Sequence, residues 1–147
     1  MASKEEKYES LKLENQICFP LYACAKEIIR KYKPYLDDID LTYTQYITMM
    51  VMWEKRSVNV KTLGESLFLD SGTLTPVLKK LEAKGYIHRE RSNEDERNLV
   101  VTITEEGEAL RDRAIGIPAK MGECVCLSAE EAKCLYSLLY KIIGNVR

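Results

Sequence analysis

Apolar residues recur at helical spacing from Ser10 to about Tyr35, at Leu13, Ile17, Leu21, Ile28 and Ile29. Pro20 falls inside this stretch. It lacks an N–H, and its ring crowds the carbonyl of Gln16, which predicts a kink near Gln16–Pro20 or a helix that restarts there. A second helix is predicted from Thr42, which forms a T-x-x-Q capping box with Gln45, through a methionine-rich face to about Trp53. Residues 58–84 read as two short helices about a tight turn. Leu63, Leu67 and Leu69 line the first helix and the turn; Leu74, Val77, Leu78 and Leu81 line the second. Ser71 is the expected N-cap of the second, and Gly85 is placed to end it in a left-handed conformation.

Two strands are predicted next, Tyr86–Arg91 and Leu99–Ile103, the latter from the alternation of Leu99, Val101 and Ile103. A charged tip, Ser92 to Asn98, joins them. Thr104 is placed to cap a helix running towards Cys124, with a bend at Pro118. Ser128 and Glu131 form another capping box, opening a last helix with Leu135, Leu138, Leu139, Ile142 and Ile143 on one face. Helix, turn, helix and hairpin in this order predict a winged helix-turn-helix, mainly α with a small β wing. The 147 residues suit a single domain, with about 42–104 as the winged core. The flanks, about 10–41 and 105–147, carry broad apolar stripes that a core of this size has limited room to bury. They are expected to be dimerisation helices.

Composition then removes several functions. Apolar residues make up 46% and charged residues 31%, an ordinary globular balance without repeats or low-complexity tracts. Lys and Arg total 22 against 23 Asp and Glu, so bulk positive charge is excluded as a means of holding nucleic acid. The charged N-terminus lacks the apolar core of a signal peptide, and Tyr46 to Trp53 is too short to span a bilayer. A cytoplasmic protein with reduced thiols at Cys18, Cys24, Cys124, Cys126 and Cys134 is expected. The single histidine, His88, excludes a zinc site built mainly of imidazoles, and leaves a Ser-His-Asp triad only if His88 serves. No metal or cofactor is expected.

Three runs then stand out: Leu69-Asp70-Ser71-Gly72-Thr73-Leu74-Thr75-Pro76, Leu81-Glu82, and Asp95-Glu96-Arg97-Asn98. In this order and spacing they resemble the MarR family of bacterial repressors. Leu13-Glu14-Asn15-Gln16-Ile17-Cys18-Phe19 and Leu41-Thr42-Tyr43-Thr44-Gln45-Tyr46 resemble its organic-hydroperoxide-sensing OhrR branch. The likeness covers roughly residues 10–118; beyond that the chain is similar only in being helical. It implies a homodimeric repressor of operator DNA, not an enzyme, with organic hydroperoxide as its reactive signal.

A recognition helix presents its first turns to the major groove, and Ser71, Thr73, Thr75 and Pro76 fit that role. Lys79, Lys80 and Arg91 complete the expected DNA-facing set, although residues 79–97 hold only six basic residues against five acidic ones. The resemblance implies that Arg97 enters a minor groove at the wing tip, with Asp95 holding its guanidinium. It also implies that Cys18 attacks the peroxide and that Tyr32 and Tyr43 donate hydrogen bonds to its thiolate. Cys18 and Tyr32 lie 14 residues apart, roughly 21 Å along one helix, so Tyr32 is expected to reach Cys18 from the other subunit. In some members of the branch a second cysteine near the C-terminus captures the oxidised one; Cys124 is the first candidate and Cys126 the second. Cys24 and Cys134 are expected in apolar packing.

Three alternatives stay open at this point. One is a MarR-type repressor gated by a noncovalent aromatic ligand in a pocket lined by the tyrosines and Met49, Met50 and Met52, with Cys18 a bystander. Cys124, Cys126 and Cys134 form a possible soft-metal site. A thiol peroxidase would use the same cysteine chemistry without DNA.

Overall fold

The computed structural model describes residue 3, residues 5–94 and residues 98–147. Seven α-helices and three strands occur among them: α1 Cys18–Asp37, α2 Tyr43–Lys55, β1 Ser57–Asn59, α3 Val60–Leu67, α4 Ser71–Ala83, β2 Ile87–Arg91, β3 Leu99–Ile103, α5 Glu105–Ala114, α6 Ile117–Val125 and α7 Ala129–Val146. None of these helices is long and apolar enough to cross a membrane. Two compact units are present, Met1–Ile115 and Gly116–Arg147.

The first unit begins with 3-10 turns over Glu6–Leu11 and Leu13–Asn15 rather than with α-helix. Of the two outcomes predicted around Pro20, the chain takes the restart. Ile17 is the N-cap of α1, so Pro20 sits in the first turn, where a missing N–H leaves no bond unmade. Pro34 lies inside the last turns of the same helix. The capping box at the start of α2 forms as predicted: Gln45 N–H donates to Thr42 Oγ1 at 3.3 Å, and Thr42 N–H donates to Gln45 Oε1 at 3.1 Å.

α3 and α4 make the helix-turn-helix. Asn59 caps α3 by accepting the Thr62 N–H at 2.7 Å. The expected cap of α4 needs correction. Asp70, not Ser71, accepts the Thr73 N–H, at 2.8 Å, and Ser71 is the first helical residue. A carboxylate beside the positive end of the helix dipole makes Asp70 the better cap. Gly85 follows α4 at φ +82°, as predicted.

The sheet is antiparallel in the order β1–β3–β2, with Val58 opposite Val101 and Ile87 opposite Ile103. β1 was not predicted, because three residues are too few to show alternation. The core of this unit gathers Met49, Met52, Leu63, Leu74, Leu78, Leu81 and Val101, each at most 1% exposed. Gly107 in α5 packs tightly enough that an added Cβ would lie 2.2 Å from the Tyr86 carbonyl oxygen, and its own carbonyl accepts Trp53 Nε1–H at 2.8 Å.

The predicted long helix after Thr104 ends at Ala114. Thr104 Oγ1 does cap it, accepting the Gly107 N–H at 3.1 Å. A separate helix then starts at Ile117 with Pro118 in its first turn, a position that suits proline. In the second unit the Ser128–Glu131 capping box forms, and α7 runs to Val146 without one buried residue.

Candidate functional site

The exposed face of α4 carries most of the residues that the sequence assigns to DNA. Ser71, Thr73, Pro76, Lys79 and Lys80 are exposed, as is Arg91 at the end of β2. Thr75 differs from the rest: it is half-buried, and its hydroxyl donates to the Ser71 carbonyl oxygen at 2.7 Å. That bond leaves its methyl group, more than its hydroxyl, to face a partner. Asp95 and Arg97 lie outside the described residues. The wing is closed just below them by Ser92 N–H donating to Asn98 O at 2.7 Å.

Two side chains near the C-terminal end of α4 fix it to its surroundings; the run Leu81-Glu82 stood out in the sequence without a role, and Lys84 did not stand out. Glu82 accepts the backbone N–H of Arg89 at 2.7 Å and the Arg89 guanidinium at 3.0 and 3.3 Å, tying the helix to the wing strand. These hydrogen bonds, together with the Arg89 charge and His88 nearby, hold the Glu82 carboxyl below its ordinary value. Lys84 reaches the turn between α1 and α2, where Asp40 and Gln45 receive it.

Tyr32 and Tyr43 come together, with ring centroids 5.0 Å apart. They belong to a larger cluster that includes Tyr46, 5.8 Å from Tyr32 and 6.4 Å from Tyr43, and Trp53, 6.4 Å from Tyr46. The added members were legible as spacing. Tyr43, Tyr46 and Trp53 lie at i, i+3 and i+10 on α2, which is one helix face. Burial raises the pKa of Tyr32 and of Tyr43, and Tyr43 adds repulsion at Tyr32. Tyr46, 2% exposed, is pushed up to about 12 by burial and by its two tyrosine neighbours. Each phenol therefore keeps its proton well above neutral pH and is a hydrogen-bond donor that does not give the proton away.

Cys18 is exposed in the first turn of α1, and Tyr32 stands on the same helix 14 residues later. At 1.5 Å per residue that is roughly 21 Å, so one chain does not bring the thiol to the tyrosines. Cys124, near the end of α6, and Cys126, its left-handed C-cap at φ +54°, are exposed. The expectation of apolar packing fails for Cys24 and Cys134, which are also exposed in the single chain. Cys24 is one of the exposed residues of α1, and α7, which carries Cys134, has no buried residue.

Met49 and Met52 are fully buried core residues and Met50 is 43% exposed, so the three do not line one pocket. Among the described residues no three His, Cys, Asp or Glu side chains gather as a metal site.

Residues 30–113 match the family model for the transcriptional regulator SarA/Rot. The chain is 45% identical over 142 residues to an organic hydroperoxide resistance transcriptional regulator of Bacillus subtilis, covering 97% of each. Among solved structures it is similar to reduced AbfR bound to DNA, with 31% identity and a TM-score of 0.79 over 95% of this chain and 98% of that one. It is also similar to the disulfide form of AbfR, a protein of Staphylococcus epidermidis, with 30% identity and a TM-score of 0.67 over 96% and 99% of the two chains. The chain belongs to the MarR and SarA/Rot family of winged-helix transcriptional regulators, on the branch of the organic hydroperoxide resistance regulators.

Proposed function

We infer that this protein is a homodimeric repressor that holds operator DNA while Cys18 is reduced and releases it when an organic hydroperoxide oxidises Cys18. The observation that carries this reading is the placement of an exposed Cys18 at one end of α1 and the Tyr32–Tyr43 pair towards the other. A second copy running in the opposite direction supplies the missing proximity, because it sets each thiol beside the partner's tyrosines. The regions about 10–41 and 105–147 form the dimer in this account, and about 42–104 reads DNA. Open apolar side chains support the assignment: Phe19, Tyr22 and Ile29 on α1, and Leu135, Leu138 and Ile142 on α7.

In the chemistry the Cys18 thiolate attacks the terminal oxygen of the hydroperoxide. An S–O bond forms as the O–O bond breaks, sulfur is oxidised to sulfenic acid, and the alkoxide leaves and takes a proton from water to become the alcohol. Tyrosine hydroxyls that stay protonated stabilise the thiolate beforehand by donating to it. Cys124, or Cys126 after it, then attacks the sulfenic sulfur; the S–S bond forms and water leaves. A disulfide of this kind has to bring its two Cα atoms within ~7 Å, and it constrains a dimer whose recognition helices must stay about 34 Å apart. The disulfide form of AbfR supports this second step.

On the DNA side, α4 enters the major groove through Ser71, Thr73, Thr75 and Pro76, and Lys79, Lys80 and Arg91 meet phosphates. Arg97, held by Asp95, reads the minor groove. Arg97→Ala is expected to weaken operator binding by about 1–3 kcal/mol while leaving the dimer intact. Unchanged affinity would remove the wing from the account. The sensor chemistry is tested by peptide mapping after one equivalent of cumene hydroperoxide. A Cys18–Cys124 or Cys18–Cys126 linked peptide, reversed by dithiothreitol, is expected. An unmodified Cys18 peptide would reject the redox reading.

A further inference from the structure

Cations from the DNA-reading half grip the turn between α1 and α2 from two sides. Lys84, the C-cap of α4, donates to the Asp40 carbonyl oxygen and to Gln45 Oε1 at 3.2 Å, with Asp40 Oδ2 at 3.4 Å. Arg113, in the last turn of α5, donates to the Asp38 carbonyl oxygen at 2.5 Å. The turn they grip is rigid: Ile39 and Leu41 are buried, Leu41 N–H donates to Leu36 O at 3.0 Å, and Asp40 is held at φ +51°. Gln45 Oε1 is shared, since it also accepts the Thr42 N–H that closes the capping box of α2. Tyr32 lies one helical turn before Leu36, and Tyr43 is the first residue of α2, so the paired tyrosines flank this turn.

We propose that Lys84 is a positioning residue for DNA reading, which registers the C-terminal end of α4 against the tyrosine-flanked turn and passes any shift of that turn to α4. The inference rests on the redox reading above, in which oxidation at Cys18 disturbs Tyr32 and Tyr43. The donors of Lys84 set it apart from the other lysines of α4. An ammonium has three, and here they face three acceptors of its own chain, Asp40 O, Gln45 Oε1 and Asp40 Oδ2, with the lysine side chain 27% exposed and that of Asp40 88% exposed. Lys79 and Lys80 point to solvent. The bond to Gln45 Oε1 is the part-buried one of the three, and a charge-assisted hydrogen bond is stronger than a neutral one. α4 is a rod of 13 residues, so a shift at its last turn also reorients the exposed first turns.

The test uses Lys84→Met, which keeps the apolar stem and removes the ammonium, and Lys84→Arg, which keeps the charge. Operator affinity of the full-length dimer is measured before and after cumene hydroperoxide, and again across a salt series. In Lys84→Met the peroxide-induced loss of affinity is expected to shrink by about five-fold or more relative to wild type. Cys18 should still lose its thiol at the wild-type rate, and Lys84→Arg should regain at least half of the response. The salt dependence of the reduced protein should stay as in wild type. A peroxide response of wild-type size in Lys84→Met overturns the proposal. A salt slope shallower by about one also overturns it, because Lys84 would then be a phosphate contact. If wild type itself ignores peroxide, the redox reading fails separately and Tyr43→Ala replaces the oxidant. It should weaken operator binding more with Lys84 present than in the Lys84→Met background; equal losses overturn the link.

Discussion

In the winged segment Leu63, Leu74 and Leu81 are completely buried, whereas on α7 Leu138 is 52% and Val146 75% exposed. Both regions are amphipathic helices with leucine-rich faces, so helical pattern alone does not separate them. What separates them is the supply of neighbours. α4 packs against α2, α3 and β2 of its own chain, while the apolar residues of α7 and the outer face of α1 stay open to water. Burying such surface is worth about 25 cal/mol per Å², which gives these helices a reason to pair with a second copy. The winged segment thus buries its leucines within its own chain, and on the proposed reading the helical arms bury theirs in the dimer.

The largest effect that sharpens this contrast is expected at Leu78, 1% exposed in the core. Leu78→Ala should lower the unfolding free energy by about 2–5 kcal/mol in urea titration, by the same amount at every protein concentration. Gly107→Ala comes next. Its Cβ would lie 2.2 Å from the Tyr86 carbonyl oxygen, and α5 must shift away, at a cost of about 1–3 kcal/mol. Trp53 reports the shift directly, because its Nε1–H donates to Gly107 O, and its fluorescence should change.

On α7 the outcome should be of a different kind. Leu138→Glu is expected to leave the winged segment within about 0.5 kcal/mol of wild type, yet to weaken the dimer about ten-fold in sedimentation. A large loss of winged-segment stability at high dilution would break the contrast.

The smallest effects depend on pH, and both belong to the winged unit. Glu82 has a depressed constant in the folded state, so its contribution is complete above the ordinary carboxylate range and fades as pH falls through the lowered value. Glu82→Gln should flatten the acid limb of the melting curve. Tyr46 has the opposite sense: raised when folded, it stabilises fully below about pH 10 and the contribution is lost as pH rises through about 12. Tyr46→Phe should remove that alkaline loss, followed by phenolate absorbance.

Most of the fold was legible because its signals are local. The capping boxes at Thr42 and Ser128, the stop at Gly85 and the alternation in β3 each act over a few residues. Asp70 was overlooked as a cap because Ser71 is also a capping type and one residue decides between them. β1 was too short to carry a pattern of its own. Of the candidate site, α4 was marked out by its motif, and Tyr32 and Tyr43 were named by the resemblance alone; that their rings meet is seen only in the fold. The grips of Glu82 on Arg89 and of Lys84 on Asp40 are likewise seen only there. The first needs the fold of helix against strand, and the second joins residues 44 apart in the chain. Tertiary hydrogen bonds of this kind leave no period in a sequence.

The central claim is tested most directly by fluorescence anisotropy of labelled operator from the protein's own upstream region. It is titrated with reduced protein and then with stoichiometric cumene hydroperoxide, for wild type and Cys18→Ser. The account predicts release in wild type, recovery on adding dithiothreitol, and continued binding in Cys18→Ser. Release that persists in Cys18→Ser, or wild-type binding that ignores the peroxide, would contradict it.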